Sequence, residues 1–187
     1  MSTVGSPLWY TSRAAGVISL VLLTFVVLLG VLHRSGRALP GLQRFVVAGL
    51  HRNLSLLALA FLAVHIGTAV LDSYVPIRLI DAVVPFVSAY HPFWVGLGAL
   101  TLDLLIALVA TSLLRHRIGR RYWRAVHWAA YAAWPIALTH GLGLGTDSRH
   151  GWLLVVMICS GLAVSAATAW RLSLADANSV PELAGRR

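Results

Sequence analysis

The sequence is poor in charge and lacks lysine altogether: of its 187 residues, fifteen are arginine, six are acidic and 11% in total are charged. An average soluble domain carries about 25% charged residues. Hydrophobic residues reach 58% and the mean hydropathy is +0.79. So little charge and so much apolar side chain exclude a soluble domain of this length and indicate an integral membrane protein.

Cysteine and glycine-rich motifs are scarce as well. Cys159 is the one cysteine, which excludes a disulfide within the chain, and we expect it to be a buried packing residue. No Gly-rich dinucleotide-binding loop is present, so no nicotinamide domain of that kind is expected. The N-terminal stretch MSTVGSP has no basic n-region and no cleavage site, and we therefore expect no signal peptide.

Long uncharged segments are the main feature that the sequence does have. A helix needs about 20 apolar residues to cross a bilayer core of roughly 30 Å. Four uncharged runs are that long, and a fifth is interrupted only by Asp103; they are residues 14–32, 53–71, 125–146, 151–170 and 93–114. We therefore expect one all-α integral membrane domain, a five-helix transmembrane bundle in contact with membrane lipid. Its expected helices are about 10–32, 46–72, 93–114, 123–145 and 151–172, followed by a tail over 173–187.

The arginines indicate the topology of this bundle. Twelve of them flank the first and third links or follow the fifth helix, and three fall on the opposite side. The positive-inside rule then places the N-terminus outside and the C-terminus in the cytoplasm of a multi-pass plasma-membrane protein. Because the arginines lie close to helix ends, a nucleic-acid partner is not expected. The twelve are Arg34, Arg37, Arg44, Arg52, Arg115, Arg117, Arg120, Arg121, Arg124, Arg171, Arg186 and Arg187; the three are Arg13, Arg78 and Arg149.

Four histidines lie inside two of the expected spans, the second and the fourth. Charged landmarks at the helix ends place His51 and His127 near the inner boundary, and His65 and His140 at one common depth near the outer boundary. Both spans run outward, so the histidines are expected to face each other as two pairs, His51–His127 and His65–His140. At 1.5 Å per residue the two levels are roughly 20 Å apart. The other four, for which we expect no ligand role, fall at helix ends or in loops: His33, His91, His116 and His150.

The spacing within each span is unequal. Fourteen residues separate His51 from His65, close to four turns, so these two share a face. Thirteen separate His127 from His140, which turns them apart on an ideal helix. Pro135 lies between them, and we expect a kink there to re-phase the second half so that both rings point inward.

Facing imidazoles inside lipid need partners, because an unpaired polar group there costs several kcal/mol. A haem iron with two axial histidines fits between two helices. With both axial positions filled by protein, such a haem is suited to electron transfer. Hydrogen-bonded packing histidines are the alternative, and two other classes of function stay open: a non-redox membrane anchor for a soluble partner, and a metal or proton transporter using the histidines and Asp103.

The segment TSLLRHRIGRRYWRAVHWAAYAAWPIALTHG (111–141) resembles the ferric-reductase-like transmembrane domain, as does HRNLSLLALAFLAVH (51–65). This family is shared by ferric reductases, NADPH oxidases and the haem-binding subunit of a bacterial methionine sulfoxide reductase system. Its marks are a basic loop, a tryptophan and H-x12-H on one helix, with H-x13-H on an earlier one. The resemblance spans about residues 10–172 and implies two b-type haems held by His51, His127, His65 and His140, and an electron path across the membrane.

Several relatives carry an additional first helix and a flavin- and nicotinamide-binding domain after the last one, neither of which we find here. We therefore expect a di-haem b-type cytochrome whose electrons come from a separate redox partner protein at the cytoplasmic face, or from FMN or a quinone-type donor. Outward transfer is favoured by about 2.3 kcal/mol per 100 mV of inside-negative potential. The absence of CxxCH excludes covalent c-type attachment.

Further residues have two interpretations each. Asp103, at membrane depth, either relays a proton or orients a ligand, or sits protonated against Thr101. Gly49, Gly67 and Gly141 either let a porphyrin approach or serve helix packing.

Two longer stretches are also open to interpretation. The arginines of residues 115–124 either hold haem propionates, a flavin phosphate or a partner's acidic face, or act as topological anchors. Residues 74–93 are expected to form a short amphipathic cap over the outer haem.

Overall fold

The computed structural model describes the backbone of residues 6–35, 43–145 and 151–184, and the side chains of 6–32, 43–145 and 151–173. Several residues named above lie outside this description: Arg37, Arg149, His150, Arg186 and Arg187, and the side chains of His33 and Arg34. The described residues form helices and no strands: α1 (Pro7–Ser35), α2 (Arg44–Leu71), α3 (Leu79–Val83), α4 (Pro92–Leu113), α5 (Arg115–His127), α6 (Ala130–Leu144) and α7 (Gly151–Ala184).

Four of these helices are long and apolar enough to cross a membrane. Their spanning parts are Pro7–Leu32, Arg44–Leu71, Pro92–Leu113 and Gly151–Ser173. The chain is therefore an all-helical membrane protein, as its composition predicts. The expected tail over 173–187 is in fact helical as far as Ala184, because α7 continues beyond its apolar part.

The region expected to be one helix over 123–145 is divided in two. Helix α5 ends at His127 and α6 begins at Ala130, and α6 alone, with fifteen residues, is short for a bilayer. Between them the chain tightens, since the amides of Ala129, Tyr131 and Ala132 donate to carbonyls three residues earlier. Pro135, which has no N–H, cannot donate to the carbonyl of Tyr131, so the regular helical ladder is already weakened there.

This tightened turn contributes to the phase of the second histidine. An α-helix rotates about 100° per residue and a 3₁₀ turn about 120°. Three residues of 3₁₀ geometry therefore recover about 60° of the roughly 140° by which a thirteen-residue spacing falls short of four turns. This part of the re-phasing arises before Pro135, and α6 continues through the proline as a helix.

Helix α1 is the centre of the packing. It lies along most of α2 and also contacts α6 and α7, while α4 packs against α3, α5 and α6. Helix α2 is the least covered span: 6% of its most apolar window is buried, against 22–28% for the other three. In the part of the chain that the structure describes, its extensive helix contact is with α1. The two regions that carry the paired histidines are therefore held apart, each against α1.

Small buried contacts fix α6 and α7 on α1. The indole nitrogen of Trp134 donates to the hydroxyl of Thr24 at 3.0 Å, which ties α6 to α1. Leu20 of α1 packs with Leu153 and Met157 of α7. Cys159 is exposed, so the expectation that it is buried is wrong. It lies on the side of α7 opposite Met157, about 200° around the helix.

Candidate functional site

The four histidines of the second and fourth expected spans come together as two pairs. The ring centroids of His51 and His127 are 6.4 Å apart, with the planes at 58°. Those of His65 and His140 are 6.3 Å apart, with the planes at 82°. All four side chains are partly buried. Each pair joins α2 to the α5–α6 region across the space between them.

Hydrogen bonds fix the protonation of three of these rings. Nδ1 of His51 donates to the carbonyl of Val26 at 2.9 Å, and Nδ1 of His65 donates to that of Ser12 at 2.7 Å, both on α1. Nδ1 of His140 donates to the carbonyl of Trp94 on α4 at 2.7 Å. A carbonyl oxygen can only accept, so each Nδ1 carries the proton. A neutral imidazole protonated at Nδ1 keeps its lone pair on Nε2, which is the form that binds a metal.

The same three rings each lie against a glycine. A Cβ at Gly16 would be 2.9 Å from Nδ1 of His65, and one at Gly98 would be 2.6 Å from Cε1 of His140. A Cβ at Gly30 would be 3.4 Å from Cε1 of His51. In every case the accepting carbonyl belongs to the residue four positions before the glycine, within SRAAG (12–16), VVLLG (26–30) and WVGLG (94–98). Glycine lets the ring come close enough to reach that carbonyl.

Sequence reasoning missed these three glycines, although one signal was present. Gly16 and Gly30 are fourteen residues apart, the same spacing as His51 and His65 on the neighbouring helix. The glycines that sequence reasoning singled out behave differently. A Cβ at Gly49 or Gly67 would meet nothing within 4 Å, which does not support helix packing there, whereas one at Gly141 would meet Met157 of α7 at 3.2 Å.

His127 is held by an aromatic neighbour. Its ring stacks on that of Trp123, with centroids 4.9 Å apart and planes at 28°. The indole nitrogen of Trp123 donates to the hydroxyl of Ser112 on α4 at 3.3 Å. The inner pair is thus anchored through α4 on one side and through α1 on the other.

A cavity of about 260 Å³ surrounds the outer pair. His65 and His140 line it together with Gly16 and Gly98, and most of the remaining wall is apolar. Arg13, in the second turn of α1, and Asp72, just after the end of α2, are charged residues of its wall. The guanidinium of Arg13 lies 4.5 Å from the ring centroid of Trp9, another wall residue.

The geometry limits what these pairs can bind. Within residues 6–35, 43–145 and 151–184 no cluster of three or more metal-ligating side chains occurs, so each pair offers a metal two imidazoles. Two metal–imidazole bonds of about 2 Å each, added to the distance from the bonding nitrogen to the centroid in each ring, come to roughly 6 Å. This agrees with the centroid separations of 6.3 and 6.4 Å. The pairs therefore fit a metal that is held between two imidazoles and takes its remaining ligands from outside the described residues.

Asp103 and the remaining histidines stand apart from the pairs. Asp103 is half-buried in α4, and its carboxylate has no hydrogen bond within the described part of the chain. The hydroxyl of Thr101 donates to the carbonyl of Leu97, so it is not the partner of Asp103. His91 is the N-cap of α4, and His116 is exposed at the start of α5.

The arginines of the third link form an exposed face. Arg115, Arg117, Arg120, Arg121 and Arg124 are all exposed on α5, and none of them reaches the histidine pairs in the contacts that the structure shows. The helix is interrupted at Gly119, which has φ 79° and ψ 155°. We call these five residues the arginine face.

Comparison with known proteins gives one match. The family described as "Ferric reductase like transmembrane component" matches residues 15–138, well over half of the chain. Searches of curated proteins and of solved structures give no match. The matched range contains His51, His65 and His127 and the glycines of α1 and α4 that support the rings. The protein therefore belongs to the ferric-reductase-like transmembrane component family.

Proposed function

We propose that this protein is a di-haem b-type membrane cytochrome, the electron-carrying membrane subunit of an oxidoreductase. His51 and His127 hold the inner haem iron, and His65 and His140 hold the outer one. The observation that carries the proposal is the protonation of Nδ1 in three of the rings, which puts the lone pair of each on Nε2, the form that ligates a metal, within pairs of the required width. Family membership adds support, because domains of this family generally bind haem.

The residues of this chain position the histidine ligands, and the redox chemistry belongs to the haem. The carbonyls of Val26, Ser12 and Trp94 orient three rings and raise the basicity of their metal-binding nitrogens, as partners of metal-bound histidines do. Trp123 holds the fourth ring by stacking. A haem iron held by two of these histidines would supply one-electron transfer.

We further propose five crossings of the plasma membrane, with residues 123–145 as the fourth. The N-terminus is then outside and the C-terminus is cytoplasmic. Support comes from the arginine face, which under the positive-inside rule belongs to the cytoplasm. Reporter fusions after residues 35, 72, 114, 146 and 187 test this topology. We expect the signal to alternate between cytoplasmic and outer from each site to the next. The same signal after residues 114 and 146 would contradict a fifth crossing.

The electron donor in this proposal is a separate protein with an acidic surface that docks on the arginine face. Exposed guanidinium groups attract a complementary acidic surface and steer its approach. FMN or a quinol is the alternative donor. Electrons then pass outward, the direction that an inside-negative potential favours.

The same exposed arginine face supports one competing function, a non-redox anchor that holds a soluble partner at the membrane. The anchor needs no cofactor and gives the histidine pairs no role. The metal transporter is less well supported, because the described residues hold no three-ligand cluster.

A redox spectrum separates these functions. The protein is purified in detergent from cells supplied with ample haem precursor, and its absorption is measured before and after dithionite. The cytochrome predicts b-type bands that sharpen on reduction, with about two haems per chain. Protein that folds and remains colourless contradicts the cytochrome and leaves the anchor.

A further inference from the structure

The segment between α2 and α4 exposes apolar side chains and buries its acid. Around α3, six large apolar residues are between 38% and 65% exposed: Leu79, Ile80, Val83, Val84, Phe86 and Val87. Asp81, in their midst, is 1% exposed. A soluble surface would show the opposite pattern, since contiguous exposed apolar patches mark an interaction site.

The buried acid is neutralised within the segment itself. The carboxylate of Asp81 pairs with the guanidinium of Arg78 at 2.8 Å and accepts the amide of Arg78 at 3.0 Å. The Ser88 hydroxyl also bonds to it. Arg78 remains 64% exposed at the edge of the segment. From Leu79 to Val87 the exposed face therefore carries no charge, and the guanidinium of Arg78 lies at its edge.

The position of the segment relative to α4 gives its depth. The backbone nitrogen of Phe86 would lie 2.7 Å from a Cβ at Gly96. Gly96 is four residues inside α4, about 6 Å below its first residue at 1.5 Å per residue. Helix α4 has 22 residues, about 33 Å, so it begins close to the edge of the hydrocarbon core. The chain at Phe86 thus runs below that edge before it rises again to Pro92.

We propose that residues 79–87 are an interfacial membrane segment whose apolar face contacts the lipids of the outer leaflet. Amphipathic segments of this kind bury their apolar side about 5–10 Å into the boundary of headgroups and acyl chains, which matches the depth of Phe86. Arg78 lies at the level of the lipid phosphates and pairs with them as well as with Asp81.

Lipid is the occupant because the face continues the lipid-facing surface of two spans. Leu71 at the end of α2 and Phe93 at the start of α4 are exposed on either side of the segment. Short connections, residues 72–78 and 88–91, tie it to both spans and prevent it from rising far from the membrane. The opposite side of the segment, with Asp81 and Ala82, forms part of the wall of the outer cavity. The segment therefore separates that cavity from the outer leaflet.

Nitroxide labels can measure this contact without reference to any cofactor. Cys159→Ala removes the single cysteine, and Val83→Cys or Ile80→Cys then places one label on the apolar face. Leu162→Cys, on the exposed side in the middle of α7, is the lipid reference, and Arg120→Cys on the arginine face is the water reference. The full chain is placed in nanodiscs of phosphatidylcholine and phosphatidylglycerol, and collisions with oxygen and with a water-soluble nickel chelate are measured.

Insertion to about 5–10 Å predicts oxygen collisions that are more frequent than at Arg120 and less frequent than at Leu162, which lies deeper, and nickel collisions well below those at Arg120. Nickel collisions as frequent as at Arg120 place the face in water and overturn the proposal. Few collisions with either reagent show a protein contact, a second copy or an outer partner, and overturn it equally. The two labels report on the same face, so the result does not depend on one variant folding.

Discussion

At the scale of single residues, the sequence predicted the four histidines but not the glycines that lie against their rings. Four histidines inside apolar runs stand out by type, and charged residues near the helix ends fix their depth. Gly16, Gly30 and Gly98 have no such mark, because their role depends on which ring lies opposite them in the fold. Only the fourteen-residue spacing of the first two hinted at it.

The glycine beside His140 provides a sharp prediction. Gly98→Ala places a methyl group 2.6 Å from Cε1 of that ring, so the ring must leave the carbonyl of Trp94. Overpacking of this kind costs about 1–3 kcal/mol. We expect the outer haem to be lost or its spectrum altered, while the inner haem is unchanged.

Gly161→Ala on α7 is the matched control, since its methyl group would make an ordinary van der Waals contact with Leu138 at 3.9 Å and lies against none of the histidine rings. It should keep both haems with wild-type spectra. Equal spectra for the Gly98 and Gly161 variants, measured in the same detergent, would show that the glycine beside His140 has no effect on the outer haem.

Asp81 makes a prediction about pH. Its hydrogen bond with the Arg78 guanidinium lowers the pKa of the carboxyl below its ordinary value, which is about 3.9 in an unfolded chain. A lowered pKa means that the ion pair stabilises the segment fully above about pH 4, and that this stabilisation is lost as the pH falls through the lower value of the folded state.

A nitroxide at Val83 should therefore give the same spectrum from neutral pH down to about 5, and a more mobile one only below about pH 4. Asp81→Asn, which cannot form the ion pair, should be mobile at every pH. A transition near neutral pH would show that the carboxyl has a raised pKa and that the pairing is misassigned.

At the scale of secondary-structure elements, apolar run length located four of the five expected spans and failed for the one over 123–145. The expected helices 10–32, 46–72 and 93–114 lie within three residues of α1, α2 and α4, and the helix expected over 151–172 matches the spanning part of α7, Gly151–Ser173. The helix expected over 123–145 is two helices, because the chain tightens at Ala129–Ala132. Hydropathy does not report this change of hydrogen-bond pattern. Pro135 indicated that the helix is irregular, but it did not show that the irregularity lies at residues 129–132.

Arg171 of α7 holds this tightened turn. Its guanidinium carbon lies 4.4 Å from the ring centroid of Trp128 and 5.1 Å from that of Tyr131, and it also donates to the Tyr131 hydroxyl. Otherwise α6 and α7 have few contacts. Arg171 is therefore a positioning residue for the turn that follows His127.

Arg171→Gln should weaken this link by about 1–2 kcal/mol, the value of a partly desolvated cation–π contact, and lower the melting midpoint by roughly 2–4 °C per kcal/mol. Because the turn follows His127, the electron paramagnetic resonance signal of the inner haem should shift and that of the outer haem should not. Arg171→Lys keeps the charge without the planar group, so its melting midpoint should fall between those of the wild type and of Arg171→Gln. A lower midpoint with both signals unchanged would leave Arg171 a purely structural contact.

At the scale of the whole molecule, the bundle is built around a space rather than a continuous core. Helix α1 contacts α2, α6 and α7, whereas α2 is hardly covered by the other helices. The histidine rings meet across that space at two levels. The composition predicted a membrane protein, and the positions of the histidines along their spans predicted two pairs at different depths. The separation of α2 from α6 follows only from the three-dimensional packing.

The central claim is that each haem is shared by one histidine of α2 and one of the α5–α6 region. Its most direct test is the haem content of four single variants, His51→Ala, His127→Ala, His65→Ala and His140→Ala, with the remaining haem identified by its spectrum and redox potential. The account predicts about one haem per chain in each variant, with the outer haem remaining in the first two and the inner haem in the last two. Wild-type protein without haem, or two members of one pair that retain different haems, would contradict it.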